Sequence, residues 1–188
     1  MTKDRTAAKE ARLHGILDSA TELLIHKPTA SLNEIAEHAG IGIATLHRYI
    51  ESREQLILQL GLRALKVVGD SMNEVPLDEE TIEDYIPALI EALIPLGDKI
   101  HFLTHDASLY YSEEIIAAER KIKEPICHAV ELLQKKGAVR QDMSADWIWN
   151  VLYTLVFVAW QQVEDGRIAK RSAAKLVTET LFHGVAAK

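Results

Sequence analysis

The chain has 188 residues, a hydrophobic fraction of 48% and one cysteine, Cys127. That length can bury a core without metal or disulfides, and the composition excludes a disordered chain and a disulfide framework. The net charge is −7, but residues 1–53 hold seven Lys/Arg and seven Asp/Glu, so the acidity lies after Arg53. Local basic groups decide phosphate contact, so the sign of the whole chain does not exclude nucleic acid as a partner of that first segment.

Residues 1–9 are polar and carry Lys3, Arg5 and Lys9. They read as a frayed terminus, or alternatively as a basic arm on phosphate. Nothing there has the basic-then-apolar form of a signal peptide, and the lone cysteine suits a reducing compartment, so the expected location is cytoplasmic. A helix follows from about Glu10 to Ile25, with Leu13, Ile16, Leu17, Ala20, Leu23 and Leu24 at the spacing of one buried face. Pro28 ends it.

Ser31 to Arg53, SLNEIAEHAGIGIATLHRYIESR, reads as two short helices around a tight turn. Ser31 and Glu34 form a capping box that starts the first helix. Gly40 supplies the residue type that accepts positive φ in the turn. The second helix, from about Gly42 to Tyr49, is expected to turn Ile43, Leu46 and Ile50 inward and Ala44, Thr45, His47, Arg48 and Tyr49 outward. Two helices joined by a glycine-containing turn match the helix-turn-helix, whose second helix enters the major groove of DNA.

Ser52 and Gln55 form a second capping box, opening a long helix to about Val75 with Leu56, Leu60, Ala64 and Val67 along one stripe; Pro76 ends it. Thr81 to Leu93 is a helix with Pro87 inside. Pro95 and Gly97 are expected to break the chain, followed by segments from Asp98 to about His105, Ala107 to Arg120 and Lys121 to Lys136, the last capped by Gly137. Trp147 to Trp160, WIWNVLYTLVFVAW, is the most apolar run. It is shorter than the ~20 residues a bilayer needs, so no membrane partner is expected. A helix apolar on every side must be covered on every side, and a second copy of the protein is the simplest cover. A last helix runs from about Ala169 to Ala186, after a Glu164-Asp165-Gly166 turn. The fold class is all-α, with roughly nine or ten helices.

The Ser31–Arg53 segment resembles the DNA-binding motif of the TetR family of transcriptional regulators. Ile35-Ala36, Ala39-Gly40, Thr45-Leu46 and Ser52 match that motif, and Ile41, Tyr49, Ile50 and Arg53 are similar in kind. Gly42, Ala44 and His47 stand where the family usually has serine, glycine and tyrosine. The motif and the helix before it cover about a quarter of the chain. The resemblance implies a three-helix head over 1–53 and a ligand-binding and dimerisation body over 54–188. It implies a homodimer paired through the last two helices and a double-stranded operator bound by Ser31, Gly42, Ala44, Thr45, His47, Arg48, Tyr49 and Arg53. It also implies a small-molecule effector that releases the operator.

For the effector, the body offers Phe102, His105, Tyr110, Tyr111, Trp147, Trp149 and Tyr153, aromatic and polar groups of the kind that line a sensor pocket. An aromatic core is the plainer reading of the same residues. His101 and His105 have a spacing that zinc accepts, but without further ligands they read as pocket lining or surface, and no metal or cofactor is expected. Cys127-His128 is not a dyad, since adjacent helical residues point different ways. With no phosphate loop or nucleophile motif, an enzyme ranks behind the alternative of a helical ligand-binding or scaffolding protein without DNA binding.

Overall fold

A computed structural model describes residues 2–100 and 107–185. Among them lie eight α-helices and two 3-10 turns: α1 (Thr2–His26), α2 (Leu32–His38), α3 (Ile43–Leu46), α4 (Arg53–Asn73), α5 (Ile82–Leu93), a 3-10 turn at Ile94–Leu96, another at Ala107–Tyr111, then α6 (Glu113–Lys135), α7 (Ala145–Glu164) and α8 (Lys170–Val185). The all-α expectation stands.

Several boundaries differ from the sequence reading. Helix α1 begins at Thr2, not near Glu10. Alanine, lysine, glutamate and arginine fill its first turns, and these are good helix formers with no Gly or Pro to stop them. The expected segments Ala107–Arg120 and Lys121–Lys136 are instead a 3-10 turn and one 23-residue helix, α6, which carries Pro125 inside it. Ser112 caps that helix by accepting a hydrogen bond from the Ile115 backbone N–H at 3.3 Å. A proline removes one backbone hydrogen bond. The buried face of Ile115, Ile126, Ala129, Val130 and Leu133 holds the helix across it.

Pro95 and Gly97 do not break the chain either. The backbone tightens to 3-10 at Ile94–Leu96 and is α-helical again over residues 97–100. Gly97 is there for close approach: a Cβ on it would lie 2.0 Å from Trp160 Cγ. The three glycines with positive φ, Gly40, Gly137 and Gly166, sit in the turns after α2, α6 and α7.

Two apolar cores form, and α4 belongs to both. The head core gathers Ile16, Leu17, Ala20 and Leu24 of α1, Ile35 and Ala36 of α2, Leu46 and Ile50 around α3, and α4 from Leu56 to Leu65. It also takes in Leu109 and Ile115 from the body. The body core begins at Val68 and Met72 and is built from α5, α6, α7 and α8. The buried stripe of α4 therefore runs Leu56, Ile57, Leu60, Gly61, Ala64, Leu65, Val68 and Met72. The expected Val67 is only half-buried; at about 100° per residue its neighbour Val68 continues the line from Leu60 and Ala64 better.

Candidate nucleic-acid interface and ligand cavity

The helix-turn-helix is fixed from its first residue. The Ser31 Oγ accepts from the Glu34 N–H at 3.3 Å, while the Glu34 carboxylate accepts from the Ser31 N–H and hydroxyl, each at 2.8 Å. Lys27 pairs with the same carboxylate. These bonds, the one from Lys27 foremost, hold the Glu34 carboxyl down at about 2. In the turn, the Gly40 and Ile41 N–H groups bond back to Glu37 and Ala36, with Gly40 at φ 64°. At this φ a side chain would be strained.

Helix α3 is a single turn, and the backbone continues in turns to Tyr49. Leu46 and Ile50 are fully buried, as expected. Ile43 is not inward; it is 37% exposed. At about 100° per residue a continuous helix would put Ile43 within about 60° of Leu46 and about 20° of Ile50, but α3 ends at Leu46, so that spacing does not carry through to Ile50. Gly42, Ala44, His47 and Arg48 are exposed and Thr45 is half-buried. Together they form one outer surface with Ile43. Tyr49 is half-buried and packs on the head core, so its ring is partly a structural member.

Arg53 has a task the sequence did not reveal. Its guanidinium donates to the carbonyl oxygens of Ala30 and Pro28, each at 2.6 Å, and so ties the α1–α2 connection to the start of α4. The Ser52 cap is also rearranged. The Ser52 hydroxyl accepts from the Gln55 N–H at 3.2 Å, but the Gln55 side chain accepts from Glu51, one residue before the usual partner.

In the body, a cavity of about 440 Å³ opens between α4, the end of α5, the 3-10 turn at Tyr110, α6 and α7. Three of the expected ligand residues meet there: Tyr110, Trp149 and Tyr153. The Trp149 and Tyr153 rings are tilted at 37° with centroids 5.7 Å apart. The Tyr153 hydroxyl donates to the Ile100 carbonyl at 3.4 Å. Burial, then the nearby Glu119 and Tyr110, push its phenol pKa up. Glu119 stands at the rim, where burial raises its carboxyl pKa against the opposing pull of Lys123. Lys123 is itself paired with Asp146.

Tyr111 and Trp147 do not join this site; they are 85% and 57% exposed. Phe102 and His105 lie outside the described residues, as does His101. The sequence reading missed Leu65, Val68, Leu93, Ile100, Glu119 and Asn150 in the lining. Only Asn150 carried a signal, as one of two polar interruptions of the apolar run.

Residues 16–60, from the middle of α1 into α4, match the model of the family described as bacterial regulatory proteins, tetR family. That segment holds the whole helix-turn-helix. Over that segment the chain matches the TetR family. Over 161 residues it is 26% identical to the HTH-type transcriptional repressor LfrR of Mycolicibacterium smegmatis, covering 86% of this chain and 84% of that one. It is 24% identical over 167 residues to the HTH-type transcriptional regulator NfxB of Pseudomonas aeruginosa, covering 86% and 87%. The fold is similar, at TM-score 0.77 and 23% identity over 96% of this chain and 99% of the other, to the crystal structure of the TetR-like regulator LfrR from Mycobacterium smegmatis in complex with proflavine. The matched segment carries Gly42, Ala44 and His47 on the outer surface around α3.

Proposed function

We propose that this chain is a TetR-family transcriptional repressor that binds a palindromic operator as a homodimer and leaves it when a small molecule occupies the body. The observation that carries the reading is the outer surface of α3. A one-turn helix, locked from behind by Leu46 and Ile50 and from the side by the capped α2, presents Ala44, Thr45, His47 and Arg48 to the outside. Thr45 and His47 are suited to base edges, and Arg48 and the Tyr49 hydroxyl to phosphate. Ser31 and Gly42, at the two helix starts, flank that surface. Arg53 acts one step back, by fixing the connection against which both helices rest.

Dimer contact belongs to α7 and α8. Ile148, Leu152, Val156 and Ala159 face inward, while Val158 and Leu176 remain 44% and 46% exposed on the other side of the pair. An apolar outer face on two antiparallel helices suits an isologous four-helix pairing. The effector belongs to the cavity at Tyr110, Trp149 and Tyr153, which favours an aromatic, amphipathic molecule. The proflavine bound by LfrR supports that chemistry. The body-side alternative, a ligand-binding or scaffolding protein without DNA binding, has no use for the head surface. The division between head and body falls at the start of α4, near Arg53.

The test is selection of bound duplexes from a random DNA pool. The expected result is enrichment of one palindrome with half-sites spaced one helical turn, about 34 Å, or a multiple of it. A pool without enrichment would leave the scaffolding alternative.

A further inference from the structure

The body holds a second cavity, of about 590 Å³, between α4 and α6. Leu65 and Ile122 line both cavities and so form the wall between them. Tyr85 of α5 lines the second cavity and is only 4% exposed. Among the described residues its hydroxyl has no hydrogen-bond partner, and burial raises its pKa, so it keeps its proton and can both donate and accept. A buried hydroxyl without a partner is unusual in a folded protein and calls for a group to satisfy it.

From the unpartnered hydroxyl of Tyr85 and the cavity that Tyr85 lines, we infer that the α4–α6 cavity is a second binding site, for a neutral amphipathic small molecule with one hydrogen-bonding oxygen. The apolar wall of Leu62, Leu65 and Ile122 takes the hydrocarbon part. The charged groups around the cavity cancel: Lys66 and Lys121 against Asp70 and Glu114, with Lys66 bonded to Asp70 at 2.5 Å. Such a rim attracts neither sign of net charge, which is why a neutral ligand fits. The site is separate from the aromatic cavity and does not depend on whether the protein binds DNA.

The probe is prodan, a neutral fluorescent naphthalene with one ketone oxygen, titrated into the full chain and three variants. Tyr85→Phe removes only the hydroxyl. Ala117→Trp fills the cavity from an exposed position of α6 that lines this cavity alone. Trp149→Ala alters the other cavity. The expected result is a binding phase that weakens about tenfold in Tyr85→Phe, the size of one lost hydrogen bond, with a blue shift of the bound emission. Ala117→Trp should lose that phase and Trp149→Ala should keep it. Without probe, Tyr85→Phe should melt no lower than the parent, because the hydroxyl has no bond to lose. Titration curves of Tyr85→Phe and Ala117→Trp that superimpose on the parent would overturn the site. So would a clearly lower melting temperature for Tyr85→Phe, which would mean that the hydroxyl already has a partner.

Discussion

At the scale of single residues, the head depends on a few polar contacts that act from behind the proposed DNA surface. Arg53 holds two carbonyls of the α1–α2 connection. Hydrogen bonds from a charged group contribute about 1.5–3 kcal/mol each, and Arg53 is half-buried, so Arg53→Ala should destabilise the head by about 2 kcal/mol. Local hydrogen exchange or a denaturant titration of the full chain checks this. Arg48 is exposed and makes no such bond among the described residues, so Arg48→Ala should leave stability unchanged while weakening every DNA sequence alike. Its loss should also lower the salt slope of binding by about one. The same separation explains why the motif was legible in the sequence and this contact of Arg53 was not. Sequence spacing placed Arg53 beside the recognition helix, but its partners, Ala30 and Pro28, come from a loop more than 20 residues earlier.

Glu34 gives the head a pH dependence of known sign. Its folded pKa of about 2 is below the ordinary carboxyl value of 4.5. A depressed carboxyl contributes stability that is fully present above the unfolded value and is lost as pH falls through the folded one. The capping box should therefore loosen between about pH 4.5 and 2, with the head melting ahead of the body. Glu34→Gln should flatten that part of the pH profile, read by circular dichroism at a series of acid pH values.

At the scale of elements, close approach sets the sensitive positions. Gly97→Ala puts a methyl group 2.0 Å from the Trp160 ring, so the 97–100 stretch and α7 must separate. Overpacking of this kind costs about 3 kcal/mol or more. Gly61→Ala is the milder change. Its new Cβ meets only the side-chain tips of Leu109 and Ile115, at 2.9 Å, and these can rotate away. Thermal melts of the two variants should rank in that order. Much of the element pattern was legible: the caps at Ser31 and Ser52 and the glycine turns after α2, α6 and α7 are local chemistry, though the equally local caps at Ser112 and Ser144 went unread. What was not legible is set by packing from afar. Pro125 and Gly97 look like breaks until the face of α6 and the Trp160 ring hold their helices together. The cavity was half legible for the same reason. Tyr110, Trp149 and Tyr153 are conspicuous by type, whereas Glu119 and Ile100 reach the site only through the fold.

At the scale of the whole molecule, α4 runs through both cores, and α6 does so beside it, with Ile115 in the head core and Ile126, Ala129, Val130 and Leu133 in the body core. A helix is stiff, so a shift of the body against α4 reorients the head it carries. Two linked heads must match the groove spacing of DNA, so a small pivot spoils one half-site. By linkage, an effector that weakens operator binding tenfold binds tenfold more weakly to the operator complex, a coupling of about 1.4 kcal/mol. Calorimetric titration with and without operator should give that ratio. An Asp in place of the exposed Val158 should separate the dimer by burying an unpaired charge in the apolar face, a cost of several kcal/mol, and sedimentation would report monomers.

The central claim is that paired heads read one palindrome through α3. Its most direct test is an anisotropy titration of the palindrome recovered from the random pool, with the parent chain and Arg48→Ala, over a range of salt. The account predicts two chains per duplex, loss of affinity on scrambling either half-site, and a shallower salt slope for Arg48→Ala. Equal affinity for the palindrome and a scrambled duplex, with no change in slope for Arg48→Ala, would contradict it.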